Sequence, residues 1–538
     1  MLDKSGVLWY NICMINYTST VTIPKTEYEK LLIENAELTK KVEWLMEQFR
    51  LGRHRQFGSS SEKSEYDTNQ LNLFDEAENT ADVTVPEPEL VEIEKHYRKR
   101  KRSVKDRLPD DIPVEIIEHD LPLSEQICPE CSGLLHVMGR DKRRELVIIP
   151  AQVKIREHIR KIYACRDCEK NACSVPIVKA PVLEPVIKGS FASPEAIAHI
   201  MTQKFVMGSP LYRQEQDLNR SGIMLSRQTM SNWLIKATEN WLEPIYDALK
   251  EIMFCYDVLH ADETTLQVLR EPGKTPQSKS YMWLYRTSGY DIHGSKVKRP
   301  IILYEYQPDR KAKHPAEFLK TFKGYLHTDG YDGYHNLPEN ITVVGCWAHA
   351  RRKFDEALKI LPAQAREGSN ILRGKRYCDK LFALERDFAD LTPDERFKKR
   401  QELSKPLMDE FFVWLESLDS MPKTSIGSAA GYVLKQRIFL EHYLLDGRLE
   451  ISNNRAERSI KPFVIDRKNF LFANTPRGAK SSAVMFSIIE TAKECGLNPF
   501  IYLTYIFTNA PNWNIRDNPD ALNLLLPWAV LDSCKVAL

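Results

Sequence analysis

The sequence predicts a multidomain protein of α+β and α/β class, with a central mixed sheet covered by helices. Its 538 residues exceed what one hydrophobic core usually organises. Between residues 254 and 360, three strand-like runs precede an alternation of helical and strand-like runs, as in a mixed sheet with helices on its faces. The stretch at 361–446 is almost wholly helical in pattern, so we expect a helical insertion before the core resumes.

Changes in periodicity and charge divide the chain into nine segments. They are an N-terminal extension (1–24), a zipper-like coiled-coil helix (25–51), an acidic and basic linker (52–109), a zinc-binding module (110–182), a helical, helix-turn-helix-like region (183–250), the first part of the core (251–360), a helical insertion (361–446), a core segment with a carboxylate-bearing helix (447–495) and a C-terminal element (496–538). Met14 stands just before the first patterned segment and is an alternative start to Met1.

Composition excludes several classes of protein. The formal net charge is only +2, so affinity for nucleic acid has to come from local basic clusters. No apolar run approaches the roughly 20 residues that span a bilayer, and no signal-peptide cleavage site follows the short apolar stretch at 7–15. Eleven cysteines, with two Cys-x-x-Cys pairs among them, indicate a metal site in a reducing cytoplasm rather than disulfides.

A heptad pattern marks the first ordered segment. Leu31, Leu38 and Leu45 recur every seven residues, and Asn35 stands in the alternate seam position. A single seam Asn favours a two-stranded parallel coiled coil with a fixed register. The alternative is one amphipathic helix packed on its own domain. The linker that follows ends in a basic run at 95–107, which either grips phosphates without reading sequence or is a solvated tether.

Two cysteine pairs predict a structural zinc site. Cys128, Cys131, Cys165 and Cys168 supply the four thiolates of a tetrahedral Zn²⁺ site, which leaves no open position for catalysis. The gap between the pairs is longer than usual, so Cys173 and His136 are substitute ligands. Unrelated buried thiols are the alternative.

A helical hairpin follows at 211–237. One helix, a Ser-Gly turn and a second helix resemble a helix-turn-helix, and the second helix presents Arg227, Gln228 and Ser231 to a DNA groove. Hairpins of this kind also serve in packing alone, so both interpretations stay open.

The element order of the core is that of the ribonuclease H fold. The predicted elements are strands at 256–262 (continuing to 269), 280–287 and 301–306, a helix at 315–322, strands at 325–328 and 342–346, and a helix at 349–360. Thr392 and Glu395 form a capping box with Pro393 inside the helical insertion.

Three carboxylates fall where this fold places metal ligands. Asp262 stands at or near the end of the first strand, Asp329 follows the fourth, and Glu457 begins or lies within a helix. Converging carboxylates hold two divalent cations, which drive in-line attack at a phosphodiester. For each acid taken singly, a turn or helix-cap role is the alternative. The neighbouring acids are weaker candidates: Asp257, Glu263 and Asp332.

Two basic clusters accompany these acids. Phosphate-binding side chains surround Glu457, and a second cluster follows the last core strand. The candidate DNA-binding residues of the first cluster are Arg455, Arg458, Arg467 and Lys468, and those of the second are His349, Arg351 and Arg352. The alternative for both clusters is a solvated basic helix face.

Taken together, the motifs resemble the IS66-type insertion-sequence transposases. The resemblance covers about residues 25–530. The segments that carry it are 57–63, 128–131, 261–264, 328–331, 345–354, 453–458 and 466–470. The first dozen residues look like an upstream extension, and the second cysteine pair lacks the Gly that follows the first pair.

The resemblance implies a DDE transposase with a ribonuclease-H-like catalytic core. It carries Asp262, Asp329 and Glu457 over as a triad that binds Mg²⁺ or Mn²⁺. The expected partners are terminal inverted repeats, target DNA, further copies of the chain in a homodimer or larger complex, and accessory proteins of the same element. The expected location is the cytoplasm, at the nucleoid. The alternatives are a nuclease of the same fold without strand transfer and an inactive DNA-binding regulator.

Overall fold

The computed structural model describes residues 25–57, 153–164, 177–419, 424–530 and 532–536. The N-terminal extension, most of the linker and the four cysteines predicted to bind zinc lie outside these ranges. Among the described residues, no helix combines the length and the apolar character that crossing a bilayer requires.

In chain order, the first elements are α1 (Lys25–Phe57), β1 (Ile162–Ala164), β2 (Ile177–Lys179), α2 (Pro194–Phe205), α3 (Leu211–Arg220), α4 (Arg227–Ala237), α5 (Glu243–Met253), β3 (Val258–Gln267), β4 (Lys279–Thr287), β5 (Ile302–Gln307), α6 (Lys313–Phe318), β6 (Gly324–His327) and β7 (Ile341–Val344). They continue with α7 (Trp347–Ile360), α8 (Asn370–Asp387), α9 (Pro393–Lys399), α10 (Lys405–Glu416), α11 (Ser425–Lys435), α12 (Arg437–Glu441), α13 (Asn454–Phe470), α14 (Pro476–Glu494), α15 (Pro499–Asn509) and α16 (Pro519–Asn523). π-Helical segments at Thr238–Leu242 and Arg400–Ser404 join α4 to α5 and α9 to α10.

These elements belong to two units. The sheet unit comprises the described residues up to 324, except α1, together with those from 455 onward. The insertion unit comprises α1 and the described residues of 325–454.

The sheet unit is built on three antiparallel strands in the order β5-β4-β3. Asp262 lies opposite Leu284, which lies opposite Tyr304 on β5. The outer backbone edge of β5 is bonded by α14, since Tyr304 N–H donates to Ser487 Oγ at 2.7 Å and Ile302 N–H donates to Thr491 Oγ1 at 3.0 Å. An edge covered in this way does not pair with another chain.

Helices cover both faces of these strands. On one face the ring of Tyr285 stacks on Phe318 of α6, with centroids 3.8 Å apart. On the other face, Arg286 donates to Glu494 Oε1 at 2.9 Å and also to Ser459 Oγ of α13, and the hydroxyl of Tyr304 donates to the Ser459 carbonyl. α13 is therefore fixed on the face of β4 and β5 that carries Arg286 and Tyr304.

The insertion unit has an aromatic core between α7, α8 and α10. Its buried rings are Trp347, Phe354, Tyr377, Phe411, Phe412 and Trp414. Gly374 lets α8 approach closely, because a Cβ there would lie 2.3 Å from the Phe354 ring. Thr392 and Glu395 form the predicted capping box at the start of α9. Thr328 N–H donates to Val344 O at 3.0 Å, which ties the end of β6 to β7.

Helix α1 is longer than the predicted zipper segment. It contacts the rest of its unit through polar groups, as Lys40 Nζ lies 2.5 Å from Asp419 Oδ2. The seam leucines Leu31, Leu38 and Leu45 are 52%, 55% and 58% exposed. Within the described residues the apolar seam is therefore not packed on the chain's own domain, and its pairing with a second copy stays a prediction.

The elements of the predicted core all occur, in the predicted order and with ends shifted by a few residues. One placement was wrong. Asp262 is the fifth residue of a ten-residue strand rather than a residue at or near its end, because β3 and β4 stay paired to Gln267 and Lys279.

Candidate catalytic and DNA-binding residues

Asp262 lies on the polar face of β3. Side chains alternate along a strand, so Asp262 shares this face with His260 and Thr264. His260 is fully buried, whereas Asp262 is half-buried. The Asp262 carboxylate accepts a hydrogen bond from the N–H of Glu263 at 2.8 Å, which helps to fix its orientation.

Helix α13 covers this same face. Arg286 pairs directly with His260 across the strands and donates to Ser459 Oγ in the second turn of the helix. Near the other end, Arg467 donates to Thr264 Oγ1 at 3.1 Å and to Thr265 Oγ1 at 2.9 Å. The helix thus runs along β3 past Asp262, held at both ends.

Glu457 is in the first turn of α13 and is half-buried. The buried stripe of the helix is formed by Ala456, Ser459, Ile460 and Phe463, and Glu457 lies beside that stripe. The helix N-terminus carries a partial positive charge, which favours a carboxylate at this position. The structure therefore places Asp262 and Glu457 on elements of one unit that pack against each other.

Asp329 belongs to the insertion unit, two residues beyond β6. Its Oδ1 accepts a hydrogen bond from Tyr331 N–H at 3.0 Å, so it forms an Asx turn. A Cβ on Gly330 would lie 2.6 Å from the Tyr432 hydroxyl, so the turn passes close to α11. The turn role that the sequence left open for Asp329 is therefore observed, and it uses one carboxylate oxygen.

Two of the weaker acidic candidates have structural partners. Glu263 points away from Asp262 because it is the next residue on the strand, and Arg310 Nε donates to it at 2.8 Å. Asp332 accepts from Lys435 Nζ at 3.0 and 3.1 Å. The hydrogen bond from Lys435 and its positive charge lower the pKa of this exposed carboxyl.

The basic residues of α13 divide into two groups. Arg467 is tied to β3 by the threonine contacts above, so its role in the described structure is to anchor the helix. Arg458 and Lys468 are exposed, and Arg455 is half-buried.

The second basic cluster lies on α7. Arg351 forms an ion pair with Asp379 of α8, and Lys375 approaches the same carboxylate at 3.1 Å. Arg352 is exposed, and His349 is half-buried. Of the three predicted DNA-binding residues on this helix, Arg351 is thus occupied by packing between helices.

The predicted helix-turn-helix is a three-helix group formed by α2, α3 and α4. Ser226 caps α4, accepting from Thr229 N–H at 3.2 Å. The next two residues, Arg227 and Gln228, are exposed in the first turn, and the Arg227 guanidinium lies 5.5 Å from the centroid of the Tyr212 ring. Both side chains stand at the helix end that enters a groove in proteins of this architecture.

One basic surface was missed by the sequence reasoning. Arg373, Arg376 and Lys380 are exposed along α8 and, with Tyr377, line a depression of about 140 Å³. The Arg373 guanidinium lies 5.0 Å from the Trp414 ring. The spacing of these cations by three and four residues on one helix face was the available signal.

A buried polar group was missed as well. Burial raises the pKa of Asp466 to about 7, against the opposing effect of the Lys204 charge. Burial also lowers the pKa of Lys204 to about 8, and its ammonium lies 3.4 Å from the centroid of the Phe470 ring. The acidic and basic residues near positions 204 and 466 in the sequence do not indicate which of these charges are buried.

Comparison with known protein families adds four matches along the chain. The Transposase IS66 family model matches residues 189–481, more than half of the chain. The zinc-finger binding domain of transposase IS66 matches 125–169, which contains all four predicted zinc ligands. The model described as Transposase C of IS166 homeodomain matches 44–117, and the IS66 C-terminal element matches 487–528.

Curated relatives carry no assigned activity. The uncharacterized protein y4hP of Sinorhizobium fredii (strain NBRC 101917 / NGR234) is 32% identical over 446 residues, which cover 80% of this chain and 77% of the relative. The uncharacterized protein y4jD of the same strain is 30% identical over 430 residues, or 78% of this chain and 81% of that protein.

Proposed function

Because the chain belongs to the IS66 transposase family, we propose that it is the transposase of an insertion sequence. It binds the ends of the element, cleaves DNA strands there and transfers the released ends to target DNA. The observation that carries this proposal is the placement of Glu457 on a helix held along the face of β3 that bears Asp262.

Asp262, Asp329 and Glu457 are proposed as the catalytic triad. Each is half-buried, and each offers the hard carboxylate oxygens that Mg²⁺ or Mn²⁺ prefers, so the donor set fits these cations. When bound, a pair of such cations activates the attacking oxygen and stabilises the leaving oxygen.

The chain's own residues prepare this chemistry in distinct ways. Pairing with β4 fixes the backbone of Asp262, and the threonine contacts of Arg467 and the hydrogen bonds of Arg286 hold α13 over it. The Asx turn orients Asp329. Preorganised ligands of this kind lower the reorganisation that a reaction requires.

DNA binding is assigned to several surfaces. Arg227 and Gln228 on α4 are proposed to read the ends, while Arg455, Arg458 and Lys468, together with His349 and Arg352, contact phosphates. Arg351 and Arg467 support these surfaces from their packing positions.

The remaining modules are proposed as assembly parts. Cys128, Cys131, Cys165 and Cys168 bind a structural Zn²⁺ within the matched zinc-finger segment. The exposed seam of α1 pairs two copies so that two DNA ends are held together. Accessory proteins of the same element complete the complex, which acts at the nucleoid in the bacterial cytoplasm.

The test incubates purified protein with labelled DNA from the flanks of its own gene, in Mg²⁺ and in Mn²⁺. We expect nicks at the element ends and joined products from the wild type, and neither from Asp262→Asn. Asp332→Asn is the matched control, because it removes an exposed carboxylate that already has a lysine partner.

Other results of this test would support a nuclease or a DNA-binding regulator instead of a transposase. Nicks without joined products, lost in Asp262→Asn, would identify a nuclease. Specific end binding without cleavage by the wild type, both alone and with the accessory proteins, would identify a DNA-binding regulator. Full cleavage by Asp262→Asn would remove Asp262 from the triad.

A further inference from the structure

The turn that follows α13 has a strained backbone. Phe472 N–H donates to Phe470 O at 2.8 Å, which closes a γ-turn with Leu471 at its centre. Leu471 has a φ of +65°. A γ-turn with positive φ is rare and strained, and a left-handed conformation is unfavourable for a residue other than glycine.

Burial of the side chain does not offset this strain. Leu471 is 65% exposed and Phe472 is 46% exposed. The preceding ring, Phe470, is packed by contrast, since its centroid lies 6.2 Å from that of Phe205 and 3.4 Å from the Lys204 ammonium. Glycine at position 471 would relieve the backbone at little cost in apolar contact, so folding alone does not explain the leucine.

The turn is also held firmly. Leu471 N–H donates to Arg467 O at 2.7 Å, which closes the last turn of α13. On the other side, Ala473 N–H donates to Gln267 O at 2.9 Å, and Leu269 N–H donates to Ala473 O at 3.0 Å. Leu471 and Phe472 are therefore presented from a fixed frame, which lowers the entropy lost when they bind something.

The surrounding charge favours a polyanion as the occupant. Residues 455–480 contain seven Lys and Arg but only two acids, Glu457 and the buried Asp466. Within this segment Arg477 and Lys480 pair with Glu239 and Glu243, and Arg467 is bound to β3, whereas Arg458 and Lys468 are exposed. Lys468, three residues before Leu471, is exposed. An apolar tip within a cationic segment suits stacked bases bordered by phosphates.

We propose that Leu471 and Phe472 form a wedge that inserts between base pairs of the bound duplex and unstacks them. The proposal rests on the proposed function, since the duplex is the one cleaved at the triad. Apolar side chains such as Leu and Phe part base steps in this way in proteins that kink DNA.

The helix sets where the wedge acts. Leu471 follows Glu457 by fourteen residues, nearly all of them in α13. At 1.5 Å per residue this is about 21 Å, or about six base pairs of B-DNA. The unstacked step therefore lies within about six base pairs of the cleaved phosphate.

The test uses duplexes from the flanks of the gene, with 2-aminopurine placed at each position in turn. Fluorescence is measured without divalent metal, so that no cleavage occurs, and binding is followed by anisotropy. We expect wild-type protein to raise the fluorescence several-fold at one step, within about six base pairs of the cleavage position mapped separately. Leu471→Gly and Phe472→Ala should lose most of this rise.

Ile465→Ala is the matched control, because Ile465 is an exposed apolar residue of the same helix outside the turn. It should keep the full signal. Leu471→Gly should also melt at a higher temperature than the wild type, which separates loss of the wedge from loss of folding.

Several results would overturn the proposal. If Leu471→Gly and Phe472→Ala both unstack the duplex as fully as the wild type, these residues are not a wedge, and the proposed transposase function is unaffected. No unstacking by a wild-type protein that binds and cleaves the duplex would lead to the same conclusion. Loss of self-association in the turn variants, with unchanged fluorescence, would assign the turn to a protein contact instead. Failure of the wild type to bind the duplex at all would contradict the proposed function as well.

Discussion

The two units handle their charged residues differently. Residues 361–446, most of the insertion unit, contain fourteen Lys and Arg and fourteen Asp and Glu. Many of these charges pair with each other, as Arg400 does with Glu385. The segment at 455–480 of the sheet unit is strongly cationic and exposes Arg458 and Lys468. Arg351 of the insertion unit thus serves helix packing, whereas Arg458 and Lys468 of the sheet unit face solvent.

The difference shows that the role of a basic residue depends on which groups surround it in the folded chain. The second basic cluster, on α7, resembled a phosphate site in the sequence, yet its arginine at 351 is only 19% exposed. The cations on α13 adjoin Glu457, one of the proposed catalytic acids. Substitutions at these residues distinguish charge pairing within the protein from phosphate binding.

The largest effect is expected for Glu457, the proposed catalytic acid on α13. Glu457→Gln keeps the size of the side chain but removes a charged metal ligand, so cleavage of element ends should fall by on the order of 10³-fold. Binding of the same DNA, measured by mobility shift, should stay within about twofold. Asp332→Asn is the control and should cleave normally; equal activity in the two variants would refute the role of Glu457.

The buried arginine of the insertion unit should matter next, but for stability. Arg400 is 1% exposed, bonds both oxygens of Glu385 at 2.8 and 2.6 Å, and donates to the carbonyls of Tyr443, Asp446 and Leu449. Arg400→Met leaves Glu385 buried and unpaired, and we expect about 3–5 kcal/mol lower unfolding free energy by denaturant titration.

The neighbouring Lys399 is the control for this measurement. Its pair with Glu402 is exposed, with side-chain exposures of 49% and 59%, so Lys399→Met should change stability by about 0.5 kcal/mol or less. A similar small loss for Arg400→Met would mean that its buried network contributes little.

A pH-dependent effect is expected at Asp466. Its pKa is raised to about 7 by burial, above the value of about 3.9 in an unfolded chain, so ionisation penalises the folded state as the pH rises from about 4 through 7. Asp466→Asn removes the penalty. We expect the variant to gain about 2–4 kcal/mol over wild type at about pH 8 and almost nothing at about pH 4.

The measurement is the difference in unfolding free energy across this pH range. Asp387→Asn, at an exposed position of α8, is the control and should show no such trend. A constant difference between Asp466→Asn and wild type from low to high pH would show that the carboxyl is not penalised by burial.

The smallest effect separates the two basic helices. Arg458→Ala should lower the slope of log binding constant against log salt concentration by about 1, because one phosphate contact is lost. Arg351→Ala should leave the slope unchanged and lower thermal stability, because its partner is Asp379. The binding constants are measured by anisotropy over a salt series. A lower slope for Arg351→Ala and an unchanged slope for Arg458→Ala would assign the phosphate contact to α7 instead of α13.

The sequence predicted the order of the core elements because their periodicities are local. It also located the capping box of Thr392 and Glu395, whose residues lie within one turn. Contacts between distant segments were not predictable in this way. Arg467 with Thr264, and Arg351 with Asp379, become partners only after the chain has folded.

Two further features depended on tertiary structure. The position of Asp262 in the middle of β3 follows from how far β4 pairs, which composition does not determine. The strained turn at Leu471 contains none of the residues that usually signal positive φ, so no pattern predicts it. The metal-binding role of the triad remains a prediction.

We propose that Asp262 and Glu457 are ligands of the catalytic cation, and replacing each with cysteine tests this role. Thiolate is a poor ligand for Mg²⁺ and a better one for softer divalent metals. We predict that Asp262→Cys and Glu457→Cys are inactive in strand cleavage with Mg²⁺ and regain activity with Mn²⁺, while Asp332→Cys behaves as the wild type in both. If the ratio of the cleavage rates in Mn²⁺ and Mg²⁺ is the same in either variant as in the wild type, that residue is not a ligand of the catalytic cation.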